Sequence, residues 1–153
     1  MTLDVRPTLL IRQTTPADQS EWLRMRHLLW PDVETPELLR EMDHIVADPM
    51  TPVFVLERPD GSLGGFLEAS TRKYADGCET GPVGYIEGWF IDEDLRGLGF
   101  GKALVSTAED WARSQGMFEM ASDTWLDNDV SIKAHLAMGY EEVERLIHFA
   151  KTL

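Results

Sequence analysis

Arg96-Gly97-Leu98-Gly99-Phe100-Gly101 is a stretch that could hold a phosphate. It follows the apolar run Tyr85-Ile86-Glu87-Gly88-Trp89-Phe90-Ile91 and the polar turn Asp92-Glu93-Asp94, and it precedes Lys102 to Ala112, apolar at helical spacing. Strand, glycine turn and helix in that order leave unpaired backbone N–H groups at a helix start, where the dipole also favours an anion. Glycine lets a phosphate approach main chain that a Cβ would shield. The dinucleotide pattern G-x-G-x-x-G is absent, since the glycines fall at 97, 99 and 101. A Walker A loop is absent too, because Gly101-Lys102 runs into Ala103, which has no hydroxyl for magnesium. What remains is R-x-x-G-x-G after a strand, with a plain strand-to-helix turn as the ordinary alternative.

Two carboxylates could move a proton or hold a cation. Glu87 interrupts an apolar strand, where a carboxylate is expensive unless paired, although alternation equally allows it to face solvent. Asp123 lies just past the neighbouring strand, at the edge where open parallel sheets place ligands; as a helix N-cap it would have no chemistry. Trp30 could stack on a cationic ring or serve as a core aromatic, and Tyr74 is a weaker candidate of the same kind. Cys78 has no base motif beside it and reads as a passive thiol. No His/Cys/carboxylate cluster has metal spacing, so no metal is expected.

The elements that must position these groups follow from periodicity and turn chemistry. Leu9–Arg12 reads as a strand, and Thr15-Pro16-x-Asp18 starts a helix carrying Trp22, Met25, Leu28 and Leu29 on one face. Trp30-Pro31 stops it. Thr35-Pro36-Glu37 opens a second helix that Pro49 and Pro52 end. Val53–Leu56 and Leu63–Leu67 flank Arg58-Pro59-Asp60-Gly61, a hairpin signal, and residues 70–82 read as a polar loop. Strand 83–91, helix 101–115, a strand beginning at Met117, a short helix 130–138 and one or two closing strands from Tyr140 to Lys151 complete the order. The result is an α/β chain (α+β, mixed sheet) in which the strands flanking helix 101–115 must run parallel through a right-handed crossover. No repeat, low-complexity segment or linker divides residues 1–153, which read as one domain with a sizeable core.

Composition narrows the partners. Asp and Glu number 27 against 14 Lys and Arg, a net charge of −13. Such a surface repels nucleic acid and anionic lipid and attracts cations. No apolar run could cross a bilayer, Asp4 and Arg6 break the N-terminus where a signal peptide would need apolar residues, and one cysteine cannot form an internal disulfide. The expected location is cytoplasmic.

R-x-x-G-x-G between strand and helix resembles the acetyl-CoA pyrophosphate loop of the GCN5-related N-acetyltransferase (GNAT) superfamily, and the element order matches its topology. Asn128-x-x-Ser131-x-x-x-His135-x-x-x-Gly139-Tyr140 resembles the helix that packs beside the pantetheine arm there. Within that superfamily, the combination of Leu29-Trp30-Pro31, Cys78, Ile86-Glu87-Gly88-x-Phe90, Met120-Ala121-Ser122-Asp123-Thr124, Asn128 and Gly139-Tyr140-Glu141-Glu142-x-Glu144-Arg145 is similar to the aminoglycoside 6′-N-acetyltransferases. Val33 stands near where members often carry a histidine.

The resemblance implies a mixed sheet of six to seven strands with about four helices, acetyl-CoA as co-substrate, a cationic amine as acceptor and a homodimer. It implies that Arg96, Gly97, Leu98, Gly99, Phe100, Gly101 and Lys102 hold the pyrophosphate, while Trp89, Phe90, Ile91 and Asn128 meet the pantetheine. Asp123 and Glu87 would bind the amine-bearing sugar and share proton removal, with Trp30, Tyr74 and Glu144 as further contacts. His135 takes the place of a tyrosine that protonates the leaving thiolate. Two other readings stay open, an acetyltransferase of another amine such as a polyamine, and a non-catalytic acyl-CoA-binding module.

Overall fold

The computed structural model describes residues 8–153. Asp4 and Arg6, noted above, lie outside the described residues. Strand β1 (Leu10–Gln13) leads through a 3₁₀ turn to α1 (Gln19–Leu29) and α2 (Thr35–Ala47). Then come β2 (Val53–Glu57), β3 (Leu63–Arg72), β4 (Val83–Ile91), α3 (Phe100–Ser114), β5 (Met120–Ser122) and α4 (Asp129–Ala137). The sheet has order β1-β2-β3-β4-β5, antiparallel up to β4, with β4 and β5 parallel across α3.

The entry to α1 is fixed by one buried acid. Asp18 accepts the Thr15 backbone N–H at 2.7 Å and both terminal nitrogens of Arg12 at 2.7 and 2.9 Å. The Arg12 guanidinium holds this carboxyl down at a pKa of about 2, against the cost of burial. At the other end Trp30 leaves helical geometry before Pro31, as the residue preceding proline must.

Alternation along β3 divides the core into two layers. Phe66 joins Trp22, Met25, Met42, Val53, Val55 and Leu63 under α1 and α2. Leu67 and Ala69 join Phe54, Ile86, Leu104, Val105 and Ala108 under α3. On β4 the alternation changes phase. Ile86 pairs with Ala69 and Gly88 with Glu68, so Glu87 is an extra residue, a β-bulge. Tyr85 and Glu87 therefore share the α1/α2 face, and beyond the bulge Phe90 joins that side while Trp89 and Ile91 turn toward α3.

β5 pairs with β4 only over Gly84–Ile86, although β4 runs on to Ile91. The two strands part there, and the β5-facing backbone groups of the second half of β4 have no ladder partner among the described residues. Among the described residues no helix is long and apolar enough to cross a membrane.

Two expectations are corrected. β3 extends to Arg72, so the polar loop shrinks to residues 73–82; Ser70, Thr71 and Arg72 are strand because they pair with Tyr85, Gly84 and Val83. The closing strands from Tyr140 to Lys151 are absent, which leaves a five-stranded sheet instead of six or seven. Glu141–Leu153 makes no backbone hydrogen bond among the described residues, and a strand exists only where it has a neighbour to pair with.

Candidate active site

The α1/α2 face of the sheet carries a line of polar groups at the strand ends. Period-2 geometry puts Ser70 and Arg72 on this face of β3 and Tyr85 and Glu87 on β4; Asp123 follows Ala121, the β5 partner of Tyr85. Glu87 accepts Ser70 Oγ at 2.5 Å, Arg72 Nε at 3.0 Å and Arg72 Nη2 at 2.8 Å. The Arg72 guanidinium lies 3.4 Å from the Tyr85 ring centroid, and Tyr85 donates its hydroxyl to Asp123 Oδ2 at 2.5 Å. Burial, with the Asp123 carboxylate, pushes the Tyr85 phenol above its ordinary pKa, so it remains a donor at neutral pH.

Beside Glu87 a cavity of about 480 Å³ is lined by Arg26, Trp30, Val33, Glu41, His44, Ile45, Glu68 and Glu87. Its floor is rigid. Buried Glu68 accepts Trp22 Nε1 at 2.9 Å and Arg26 Nε at 2.7 Å, and Arg26 reaches Glu41 at 2.9 Å. Trp30 lies with its ring against Gly88, where any Cβ would meet Cη2 at 2.6 Å, and Arg26 sits 4.8 Å from the Trp30 ring. The glycine is what lets an aromatic wall stand directly on the strand.

On the other side of β4 the glycine turn is an open cradle. Gly97 (φ +74°) and Gly99 (φ +90°) adopt left-handed backbone, and a Cβ at either would meet nothing within 4 Å. The N–H groups of residues 97–102 have no acceptor among the described residues, the first helical bond being Ala103 N–H to Gly99 O at 3.1 Å. No acid sits in the first turn of α3, and Lys102 is exposed. Arg96 Nε is engaged by Ile91 O at 2.9 Å. Trp89 supports the turn from below: a Cβ on Gly101 would meet its ring at 2.9 Å, and its buried Nε1 has no partner among the described residues. A second depression of about 670 Å³ lies on the α1 side, lined by Leu28, Phe90, Asp92, Glu93, Asp94 and Arg96. Its carboxylates would repel phosphate, whereas the cradle presents open donors with no acid in the first turn of α3.

A polar turn with free amides, facing a diverging strand pair and backed by an acidic cavity, has counterparts among known proteins. The Acetyltransferase (GNAT) family profile matches residues 20–140. An aminoglycoside N(6′)-acetyltransferase type 1 of Stenotrophomonas maltophilia is 40% identical over 144 residues, 94% of this chain and 93% of that protein. The crystal structure of the aminoglycoside 6′-N-acetyltransferase AAC(6′)-Ih from Acinetobacter baumannii superposes with a TM-score of 0.89 at 34% identity, covering 95% and 99% of the two chains. AAC(6′)-Iy in complex with a bisubstrate analogue, CoA-S-monomethyl-acetylneamine, also gives 0.89 at 34% identity, with the same coverage. The chain belongs to the GNAT acetyltransferase family.

As a GNAT acetyltransferase the protein uses acetyl-CoA, and the cradle fits a diphosphate: donors are free, the approach is unshielded and a lysine stands beside it. The gap between β4 and β5 beside Trp89, Phe90 and Ile91 leaves a strand edge whose backbone groups are unpaired among the described residues, which suits an extended arm with amide groups. Asn128, the N-cap of α4, accepts Ser131 N–H at 3.1 Å and keeps its NH₂ unbonded among the described residues.

Of the residues singled out from the sequence of this GNAT chain, Glu87 and Trp30 line the acidic cavity, and Asp123 is joined to the same sheet face through Tyr85. Tyr74 stands 75% exposed on loop 73–82 and Glu144 is exposed on the tail; neither hydrogen-bonds to the acids. His135 has both ring nitrogens engaged, Nδ1 at 2.7 Å from Ser131 O and Nε2 at 2.8 Å from Ser122 Oγ, and packs edge-on to Trp89 and Tyr140. The carbonyl makes Nδ1 the protonated nitrogen, so Nε2 accepts from Ser122. Burial raises the Cys78 thiol's pKa, consistent with a passive group. Arg72, Tyr85 and the Arg26–Glu68 pair were not legible as site residues. Tyr85 could have been found by counting two back from Glu87, whereas Arg72 needed the true length of β3.

Proposed function

We propose that this GNAT enzyme transfers the acetyl group of acetyl-CoA to the 6′-amine of aminoglycosides. The observation that carries the reading is the alignment of Glu87, Tyr85 and Asp123 beside a cavity walled by Trp30 and Glu41, on the sheet face away from α3. Polycations suit such a cavity and a chain of net charge −13. Relatives of 40% identity that carry this activity in their names, and a structural neighbour holding a CoA-linked neamine, support it.

In this reading the ammonium docks on Asp123, whose Oδ2 is already bonded to Tyr85, and loses its proton to one of the two carboxylates or through water. The neutral nitrogen then attacks the thioester carbonyl, the C–N bond forms, the C–S bond breaks, and the electron pair leaves on sulfur. The proton that the acylated nitrogen gives up passes through water to the thiolate, leaving an amide and free thiol. A backbone N–H of β4 between Trp89 and Ile91 polarises the carbonyl as charge develops on its oxygen. Trp30 takes the sugar ring on its face. His135 acts by positioning Ser122 at the mouth of the slot; protonating the thiolate would require it to release Ser122. Tyr74 and Glu144 complete the outer substrate contacts once bound.

The working unit in this reading is a homodimer of single-domain chains, 1–153, acting in the cytoplasm. The tail packs Val143 on Gly77 but exposes Leu146, Ile147 and Phe149, and β5 leaves an edge free among the described residues. A second copy satisfies both by strand pairing. The double substitution Ile147→Glu/Phe149→Glu should then convert the dimer to a monomer in sedimentation velocity. The function is tested by thiol release from acetyl-CoA with kanamycin or tobramycin, set against spermidine and a peptide panel. Turnover confined to the antibiotics is the expected result; faster turnover on spermidine or peptide would overturn the reading.

A further inference from the structure

We propose that Arg72 is a built-in competitor for the amine site, a side-chain cation that occupies Glu87 until a multiply charged substrate displaces it, and so selects polycations over simple amines. The inference rests on the functional reading above and adds its specificity device. An ionised carboxylate has about four lone-pair positions. Glu87 already gives three of them to Ser70 Oγ, Arg72 Nε and Arg72 Nη2. One position is left, too little to seat an ammonium without moving a donor. Ser70 belongs to the strand and cannot leave, whereas Arg72 is the last residue of β3 and its side chain is 43% exposed.

The guanidinium is placed where a substrate cation would go. It bridges from Glu87 to the face of Tyr85, 3.4 Å from the ring centroid, and Tyr85 in turn holds Asp123. It thus neutralises charge at the point where a cationic substrate must be held. A monoamine offers one charge in exchange for the one it expels and gains little. A polycation keeps further ammonium groups for Asp123, Glu41 and the cavity wall, and so displaces Arg72 with a surplus. Arg72 also retains a resting place when expelled, because the loop that follows it is exposed.

The test compares wild type with Arg72→Gln and Arg72→Lys, measuring KM and kcat for kanamycin and for a monoamine probe, benzylamine. Binding of both to the CoA-loaded enzyme is measured by calorimetry, and melting temperature reports on folding. A bidentate but half-exposed pair plus a stacking contact supports a change of about tenfold. Arg72→Gln should lower KM and Kd by about that factor for both amines, since both shed the same displacement cost, which brings the monoamine into a bindable range. Arg72→Lys, which keeps the charge but loses the bidentate and stacking contacts, should fall between Arg72→Gln and wild type. A KM for either amine that rises in Arg72→Gln, or that stays unchanged for benzylamine in a folded variant, overturns the proposal. Kanamycin that binds more tightly to Arg72→Gln without being acetylated by any variant would defeat the functional reading and leave the competitor standing.

Discussion

Replacing Gly99 by alanine separates what the phosphate turn does for folding from what it does for coenzyme A. At φ +90° and ψ 1° an L-residue pays roughly 1–2 kcal/mol of backbone strain. Alanine's lower unfolded-state entropy offsets this by ~0.4–1 kcal/mol. The new Cβ meets no protein atom within 4 Å, so no packing cost adds to this. A net loss of about 1 kcal/mol should lower Tm by about 2–4 °C in a chain of this size. For the ligand, the same Cβ projects into the space that the free amides of residues 97–102 face. Losing one hydrogen bond from an amide to a charged phosphate, worth about 1.5–3 kcal/mol, weakens coenzyme A by about 10- to 100-fold. Gly116 supplies the control, with φ +79° and nothing within 4 Å, at the far end of α3. Gly116→Ala should give a comparable drop in Tm and unaltered affinity for coenzyme A by calorimetry. If Gly99→Ala binds coenzyme A as tightly as Gly116→Ala does, the cradle is not the phosphate site and the argument from its open amides is wrong.

Asp123→Asn should reduce kcat by about 100-fold or more, the scale of lost acid–base assistance, while coenzyme A binds unchanged; wild-type rates by thiol release would remove Asp123 from the chemistry. Glu68→Gln should destabilise the protein in urea by about 3 kcal/mol, the low end for a broken buried pair, because Glu41 still reaches Arg26 at 2.9 Å. An unmoved urea midpoint would show that the pair adds nothing. Asp18 has its pKa lowered from 3.8 to about 2, so its contribution is complete above 3.8 and is lost as pH falls toward 2. The loss should amount to about 2 kcal/mol and be missing from Asp18→Asn, as urea titrations between about pH 5 and about pH 2 would reveal.

Much of the fold was legible because it is written in local chemistry. Thr35-Pro36 opening α2, Trp30-Pro31 ending α1, Gly61 in the hairpin and the glycine turn before α3 each act through neighbours a few residues away. The glycine cradle belongs to this class: its amides are freed by the start of a helix and its approach by left-handed glycines, both readable along the chain. Asp123 was legible for a similar reason, since a strand end can be located from where apolar residues stop.

What the chain could not disclose depended on pairing between distant segments. Ser70-Thr71-Arg72 looks like a loop by composition and is strand because Val83–Tyr85 lies beside it, and that pairing brings Arg72 onto Glu87. The bulge at Glu87 is invisible to alternation, yet it alone turns Trp89 and Ile91 toward α3 and Phe90 toward α1 and α2. Val143 to Phe149 has the alternation of a strand and forms none, because it finds no strand to pair with among the described residues. Residue order by itself determined the helices, the turns and the phosphate loop, whose hydrogen-bond partners are a few positions apart. Which side chains share the α1/α2 face, and which cation already sits on Glu87, was decided only by tertiary structure, because register and bulges are properties of two strands together.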